Sequence, residues 1–219
     1  GHHRYETALA YRDGHEAGAG GDAASRFVMT CLIDFDDPGL RILPYYRILH
    51  GLDGGQLREL RARMDNLFES SPAGVPPESG PLDAVVAAAS QGRVALGVVE
   101  PGQAPLLLKP KAGMVPSPDP AASPADQAKA VEAVVLQEMV LRPVLGDSFA
   151  DHVAYVHDGN EAVREVASGR GQIAFFVKGV PADVFEAVVG AGIRLPAKST
   201  YFHPKLPSGL VISSLAGDL

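Results

Sequence analysis

The chain opens Gly1-His2-His3-Arg4, directly ahead of a run of helix formers that starts at Tyr5. Glycine lets a backbone approach a ligand closely. The residues after it fall on the first turn of a helix, where unbonded N–H groups and the positive end of the dipole face outward. Two imidazoles and a guanidinium at that end disfavour one another unless a phosphate or carboxylate neutralises them, so the arrangement asks for an anion. The competing reading is an exposed, solvated terminus. A second cluster, Asp34, Asp36 and Asp37, closes an apolar run. Hard oxygen ligands beside a phosphate site are what Mg²⁺ requires, whereas carboxylates that cap an Asp-Pro-Gly corner would read the same way. The third cluster lies near the other end, in Arg194–Lys205. No acidic residue occurs between Glu186 and Asp218, while Arg194, Lys198, His203 and Lys205 all fall there. With Ser199, Thr200 and the adjacent aromatics Tyr201 and Phe202, this strip could hold a phosphate and stack or enclose an organic group. A solvated surface loop is the alternative.

Other single residues carry less. Cys31 sits in an apolar run and reads as an inert core thiol. His50, His152 and His157 show no repeated ligand spacing and read as structural. The sequence has no P-loop, no dinucleotide glycine fingerprint, no nucleophile elbow and no His-x₃-His pair.

The elements that must position these residues are of mixed type. Tyr5–Arg12 predicts a helix stopped at Gly14, followed by a Gly/Ala-rich loop to Ala24. Phe27–Ile33 is a continuous apolar run that suits a buried strand. Asp37-Pro38-Gly39 predicts a turn, and Leu40–Leu49, interrupted at Pro44, predicts the returning strand of a hairpin. Leu57, Leu60, Met64, Leu67 and Phe68 recur at helical spacing within Gln56–Glu69. Ser70–Pro81 reads as a loop, Leu82–Gln91 as a helix, and Arg93–Glu100 with Pro105–Lys109 as a hairpin. Ser123 opens the longest expected helix, running to Leu141, with the end marked by Arg142 before Pro143. His152–His157, Glu161–Ala167 and Ile173–Val177 follow as strand, helix and strand, an order that favours parallel pairing. A helix over Ala182–Val189 precedes an irregular tail. The expected class is α+β, with antiparallel hairpins and a βαβ-like C-terminal segment. The expected organisation is a phosphate-binding region over 1–109, a Pro-rich connector over 110–122 and an α/β subdomain over 123–219.

Composition bounds the partners. With 19 basic and 26 acidic residues the net charge is −7, which argues against a general nucleic-acid or anionic-membrane surface. The 219 residues are 46% apolar, enough for a sizeable core. One cysteine allows no internal disulfide and suits a reducing, cytoplasmic setting. No apolar run reaches the roughly 18 residues of a spanning helix.

Four segments together resemble a known family: Gly1-His2-His3-Arg4-Tyr5-Glu6-Thr7-Ala8, Asp36-Asp37-Pro38-Gly39-Leu40, Ile42-Leu43-Pro44 and Lys198-Ser199-Thr200-Tyr201-Phe202. They are similar, in the same order, to segments of the bacterial and archaeal Domain of Unknown Function 1015. Members of that family are about twice as long and carry an Asp just before the Gly-His-His-Arg segment. The resemblance therefore implies a C-terminal half cut at the motif, against the alternative of a leftover purification leader. Similar segments occur in ParB/sulfiredoxin-like small-molecule kinases, including free-serine kinases, where they open a helix and hold nucleotide phosphates, with the catalytic acid or base upstream. On that basis Gly1, His2, His3 and Arg4 would grip phosphates, and Ser199 and Thr200 would lie beside them. Arg47, Lys198 and Lys205 would neutralise transferring charge, and Asp34, Asp36 or Asp37 would hold Mg²⁺, with ATP or ADP as the nucleotide. The implied function is a phosphotransferase acting on a small hydroxylated molecule; the alternative is a non-catalytic nucleotide- or anion-sensing module. Two departures stand out. The family reads Thr-His-Arg where this chain has Tyr45-Tyr46-Arg47, and Tyr where it has His203. Tyr, with a pKa of about 10, is a poor base near neutrality, which weakens a proton-transfer role at position 46.

Overall fold

The computed structural model describes residues 2–15, 23–74, 82–205, 207 and 209–215, with side chains from Arg4 onward. They fall into two compact units: Arg41–His203, and Gly1–Leu40 with Pro204–Leu219.

The larger unit is built on a six-stranded, wholly antiparallel sheet. Its strands that enter first are β1 (Arg41–Leu43), which stands apart from the sheet, and β2 (Tyr46–Leu49). Helix α2 (Gly54–Leu67) leads into β3 (Phe68–Pro72), and α3 (Leu82–Ser90) leads into β4 (Leu96–Val99) and β5 (Leu106–Pro110). Helix α4 (Pro124–Lys129) is followed by α5 (Glu132–Val134), which runs through π-helical turns over Val135–Leu141 into α6 (Arg142–Leu145). Then come β6 (Val153–Val156), α7 (Gly159–Ala167), β7 (Ile173–Phe176), α8 (Ala182–Gly190) and β8 (Tyr201–His203). The sheet order is β3-β5-β4-β7-β2-β6, and β1 pairs separately with β8.

Side chains alternate along the central strands and divide the core between two faces. On β7, Ile173 and Phe175 join the cluster formed with α2, the π-helical turns and α6, while Ala174 and Phe176 join the cluster formed with α3 and α7. Each large apolar side chain removed from water here contributes roughly 1.5–3 kcal/mol. Gly97 is required for close approach: a Cβ there would lie 2.8 Å from Val86 and 3.1 Å from Phe176, where α3 packs on β4.

Several sequence expectations change. Strands β6 and β7 do run parallel, because both are antiparallel to β2, but they are not neighbours. β2 lies between them, so the crossover is a split βαβ unit. The stretch 110–122 joins strands of one sheet, and both core clusters draw residues from either side of it. The long helix expected from Ser123 breaks at Ala130, and Val131 is extended. The break lets Val131 and Ala133 pack with Val180, while Val135, Leu136 and Val140 pack beneath the sheet. The helical segment also continues past Pro143. Pro143 has no N–H for the Met139 carbonyl four residues earlier, and Arg63 Nε donates to that carbonyl instead. Part of the expected loop 70–81 is strand β3; positions 75–81 lie outside the described residues.

In the smaller unit α1 (His2–His15) forms as expected and carries no acidic residue in its first turn. The loop expected over Gly14–Ala24 lies largely outside the described residues. Phe27–Ile33 is not a strand. It has no regular secondary structure and is exposed, with Leu32 90% accessible, and Cys31 is exposed rather than in a core. The Asp-Pro-Gly turn is present, with Leu40 N–H donating to Asp37 O at 2.9 Å, but the strand after it pairs with β8 rather than folding back on residues 27–33.

Candidate functional site

The site grows from the β1–β8 ribbon. Leu43 lies opposite Tyr201 and Arg41 opposite His203, which brings the turn before β8 to the Pro44-Tyr45 break between β1 and β2. The turn is Pro196-Ala197-Lys198-Ser199. Lys198 has a φ of 57°, a left-handed backbone at the third position of a turn, where Gly or Asn is usual. Ser199 is buried, and its Oγ donates to the Pro196 carbonyl at 2.7 Å.

Beneath the turn stands Arg47. On β2, Tyr46 and Ile48 face the α3/α7 cluster and Leu49 faces the opposite one, so Arg47 takes a core position. It is 4% exposed. Nη1 donates to the Tyr45 carbonyl at 2.6 Å and Nη2 to the Lys198 carbonyl at 3.1 Å. Its guanidinium lies 5.7 Å from the ring centroid of Tyr155, its partner across the β2–β6 ladder. Burial pulls the Arg47 pKa down to about 10. A guanidinium remains charged there at neutral pH, and among the described residues no carboxylate forms a salt bridge with it.

Above Arg47 the exposed surface is aromatic and basic. Tyr201 stacks on His157 with centroids 4.8 Å apart, Tyr45 meets the Tyr201 edge at 5.5 Å, and His203 lies 6.2 Å from Tyr201. Lys198 Nζ stands 5.4 Å over the Tyr45 ring, within cation–π range. Among the described residues no carboxylate pairs with that ammonium. The result is a ring platform with one lysine above it and a buried positive charge below it. Such a field favours an anion with a planar group attached.

The sequence-predicted residues divide accordingly. Arg47, Lys198 and Ser199 come together, with half-buried Thr200 beside them. Two roles change: the Arg47 fork is spent on backbone carbonyls and the Ser199 hydroxyl on Pro196, so neither is placed as a direct phosphate ligand. Gly1, His2, His3, Arg4, Asp34, Asp36, Asp37 and Lys205 belong to the smaller unit. Gly1 and the side chains of His2 and His3 lie outside the described residues, and Arg4 and Lys205 are exposed. The three aspartates do not form a metal site. Asp34 Oδ1 accepts the Asp36 N–H at 3.1 Å and Asp37 Oδ1 the Gly39 N–H at 2.7 Å. Among the described residues no group of three or more His, Cys, Asp or Glu could hold an ion.

Sequence reasoning missed Tyr45, Tyr155 and His157. A signal existed for two of them: Val153, Tyr155 and His157 continue one period-two face at the end of β6. Tyr46 is a core residue: it is buried, lies 4.6 Å from Phe176, and donates its hydroxyl to Asp83 at 3.1 Å. Burial and the Asp83 carboxylate push its phenol further above the usual range.

Comparison with known proteins adds the lineage. No curated protein matches the chain. Among solved structures, a conserved hypothetical protein from Pyrococcus furiosus is 17% identical with a TM-score of 0.43, over 80% of this chain and 61% of that one. A free serine kinase in complex with AMP is 14% identical with a TM-score of 0.41, over 78% and 56%. This chain thus spans about three fifths of the length of those structures. No helix among the described residues is long and apolar enough to cross a membrane. Residues 1–136 match the family model described as Protein of unknown function (DUF1015), and the chain belongs to that family.

Proposed function

We propose that the chain binds the phosphates of a nucleotide or a similar small anion at the Lys198 turn, with the planar group against the His157–Tyr201–Tyr45 rings. The observation that carries this reading is the pairing of charge with strain. Lys198 is held left-handed at a cost of roughly 1–2 kcal/mol, its carbonyl bonded to a buried guanidinium that has no carboxylate partner among the described residues. An exposed ammonium close to a buried guanidinium makes a field that attracts an anion. The resemblance of the Gly1–Arg4 segment to phosphate-holding segments of ParB/sulfiredoxin-like kinases points to the same ligand class. In a longer protein the reaction would be phosphoryl transfer to a small hydroxyl: the acceptor oxygen bonds to phosphorus, the bridging oxygen leaves with the nucleotide, and a base takes the hydroxyl proton. The Asp34–Asp37 turn does not fit Mg²⁺, since Asp34 and Asp37 already accept backbone N–H groups and form no ion-holding cluster among the described residues.

The sensing alternative has its own support. Tyr46 stands where the family carries His, and its buried phenol, bonded to Asp83, offers no base near neutrality. Calorimetric titration with ATP and ADP tests binding, with Lys198→Ala expected to weaken it by about 1.5–3 kcal/mol, the scale of a charged hydrogen bond. Unchanged affinity removes the assignment. Binding without phosphate transfer to any amino acid or sugar hydroxyl selects the sensor.

A further inference from the structure

We propose that Arg47 is a positioning residue: a buried clamp that fixes the Lys198 ammonium over the Tyr45 ring by holding the backbone of both residues at once. This deepens the phosphate-binding reading and rests on it for its functional consequence, though not for its geometry. The sequence invites a different role, since an arginine near a phosphate site is ordinarily a direct ligand.

The geometry is against direct contact. Arg47 is 4% exposed and sits on a central strand between Phe175 of β7 and Tyr155 of β6. Its two terminal nitrogens reach one carbonyl 2 positions away in sequence and one 151 positions away, Tyr45 O at 2.6 Å and Lys198 O at 3.1 Å. A planar guanidinium fork donates in fixed, diverging directions, so it can hold two carbonyls at once. The two carbonyls belong to the same two residues whose side chains meet above, Lys198 Nζ over the Tyr45 ring at 5.4 Å. A left-handed lysine would revert to a commoner backbone without a restraint, and the bond to its carbonyl supplies one. The clamp therefore couples the β1–β2 break to the turn before β8 and sets where the ammonium points.

The test needs a readout that does not depend on the ligand. Reductive methylation with ¹³C-formaldehyde labels the lysine amines, and the Lys198 signal is assigned by its loss in Lys198→Arg. In the wild type that signal is displaced by the ring current of Tyr45. In Arg47→Met it moves to the position of a free lysine. In Arg47→Lys, which keeps the charge but reaches one carbonyl at a time, it moves part of the way. A Lys198 signal unchanged in either variant overturns the proposal, and Arg47→Lys decides the matter should Arg47→Met not fold. ADP affinity supplies the second arm. Arg47→Met weakens binding about tenfold when Lys198 is present and less than about twofold in a Lys198→Ala background, because the effect passes through the lysine. Equal losses in both backgrounds would mean direct phosphate contact and would also overturn the clamp. A wild type that binds no ADP, with the Lys198 signal still displaced by Arg47→Met, defeats the nucleotide reading and upholds the clamp.

Discussion

Two charged turns stand out in the sequence, Asp34–Gly39 and Pro196–Thr200, and the protein uses them in opposite ways. In the acidic turn each engaged carboxylate answers a backbone N–H two residues on, at Asp36 and Gly39, so the charge is consumed where it arises. In the basic turn the local hydroxyl of Ser199 closes the loop, and the Lys198 backbone is held by Arg47 from another strand. Its ammonium is left over an aromatic ring. The lesson is that a loop charge becomes available for chemistry when something other than that charge satisfies the loop.

The largest effect that would break this contrast comes from the strut. Arg47→Met leaves two carbonyls without a charged donor and should lower unfolding free energy by about 2–4 kcal/mol in urea melts. A loss below about 0.5 kcal/mol would mean that the turn does not depend on Arg47. Next in size, Lys198→Gly separates charge from strain. Glycine accepts the left-handed backbone, so stability should hold or rise by up to about 1 kcal/mol while ADP affinity falls as in Lys198→Ala. A variant that keeps its affinity shows that the backbone, not the ammonium, binds.

Glu132 extends the contrast to a charge buried with a partner. It is 2% exposed, with Lys178 Nζ 3.0 Å away, yet burial outweighs Lys178 and raises its pKa above 4.5. Between about pH 4.5 and that raised value the folded state binds more protons than the unfolded one, so stability falls as pH rises through the window. Glu132→Gln should flatten that slope in urea melts taken from pH 4.5 upward; an unchanged slope would show that Glu132 is not its source. The smallest effect belongs to the acidic turn. Asp37→Ala should cost about 0.5–1 kcal/mol of stability and leave ADP affinity unchanged. A loss of affinity there would restore a ligand role to the aspartates.

The same distinction explains what could be read from sequence. Helix α2, with Asp53 and Gln56 forming a capping box, and the β4–β5 hairpin are locally encoded, and both appear as expected. Strand β3 was hidden because Phe-Glu-Ser-Ser-Pro has little strand character; as an edge it needs only backbone pairing with β5. The Phe27–Ile33 run misled for the converse reason: apolar content describes a segment, not what covers it. Adjacency of β6 and β7 was misjudged because a crossover does not record which strand is inserted between its ends. At the site, Lys198 and Ser199 were legible as part of a basic strip. The clamp was not, since it joins residues 151 positions apart and rests on a backbone conformation that lysine does not advertise.

The most direct test of the Lys198 platform is an NMR titration that follows the ring protons of His157 and Tyr201 as ADP is added. The platform predicts saturable shifts of those signals, with the apparent affinity weakened by about 1.5–3 kcal/mol in Lys198→Ala. Ring signals that stay in place while ADP binds elsewhere, or that shift equally in Lys198→Ala, would contradict it.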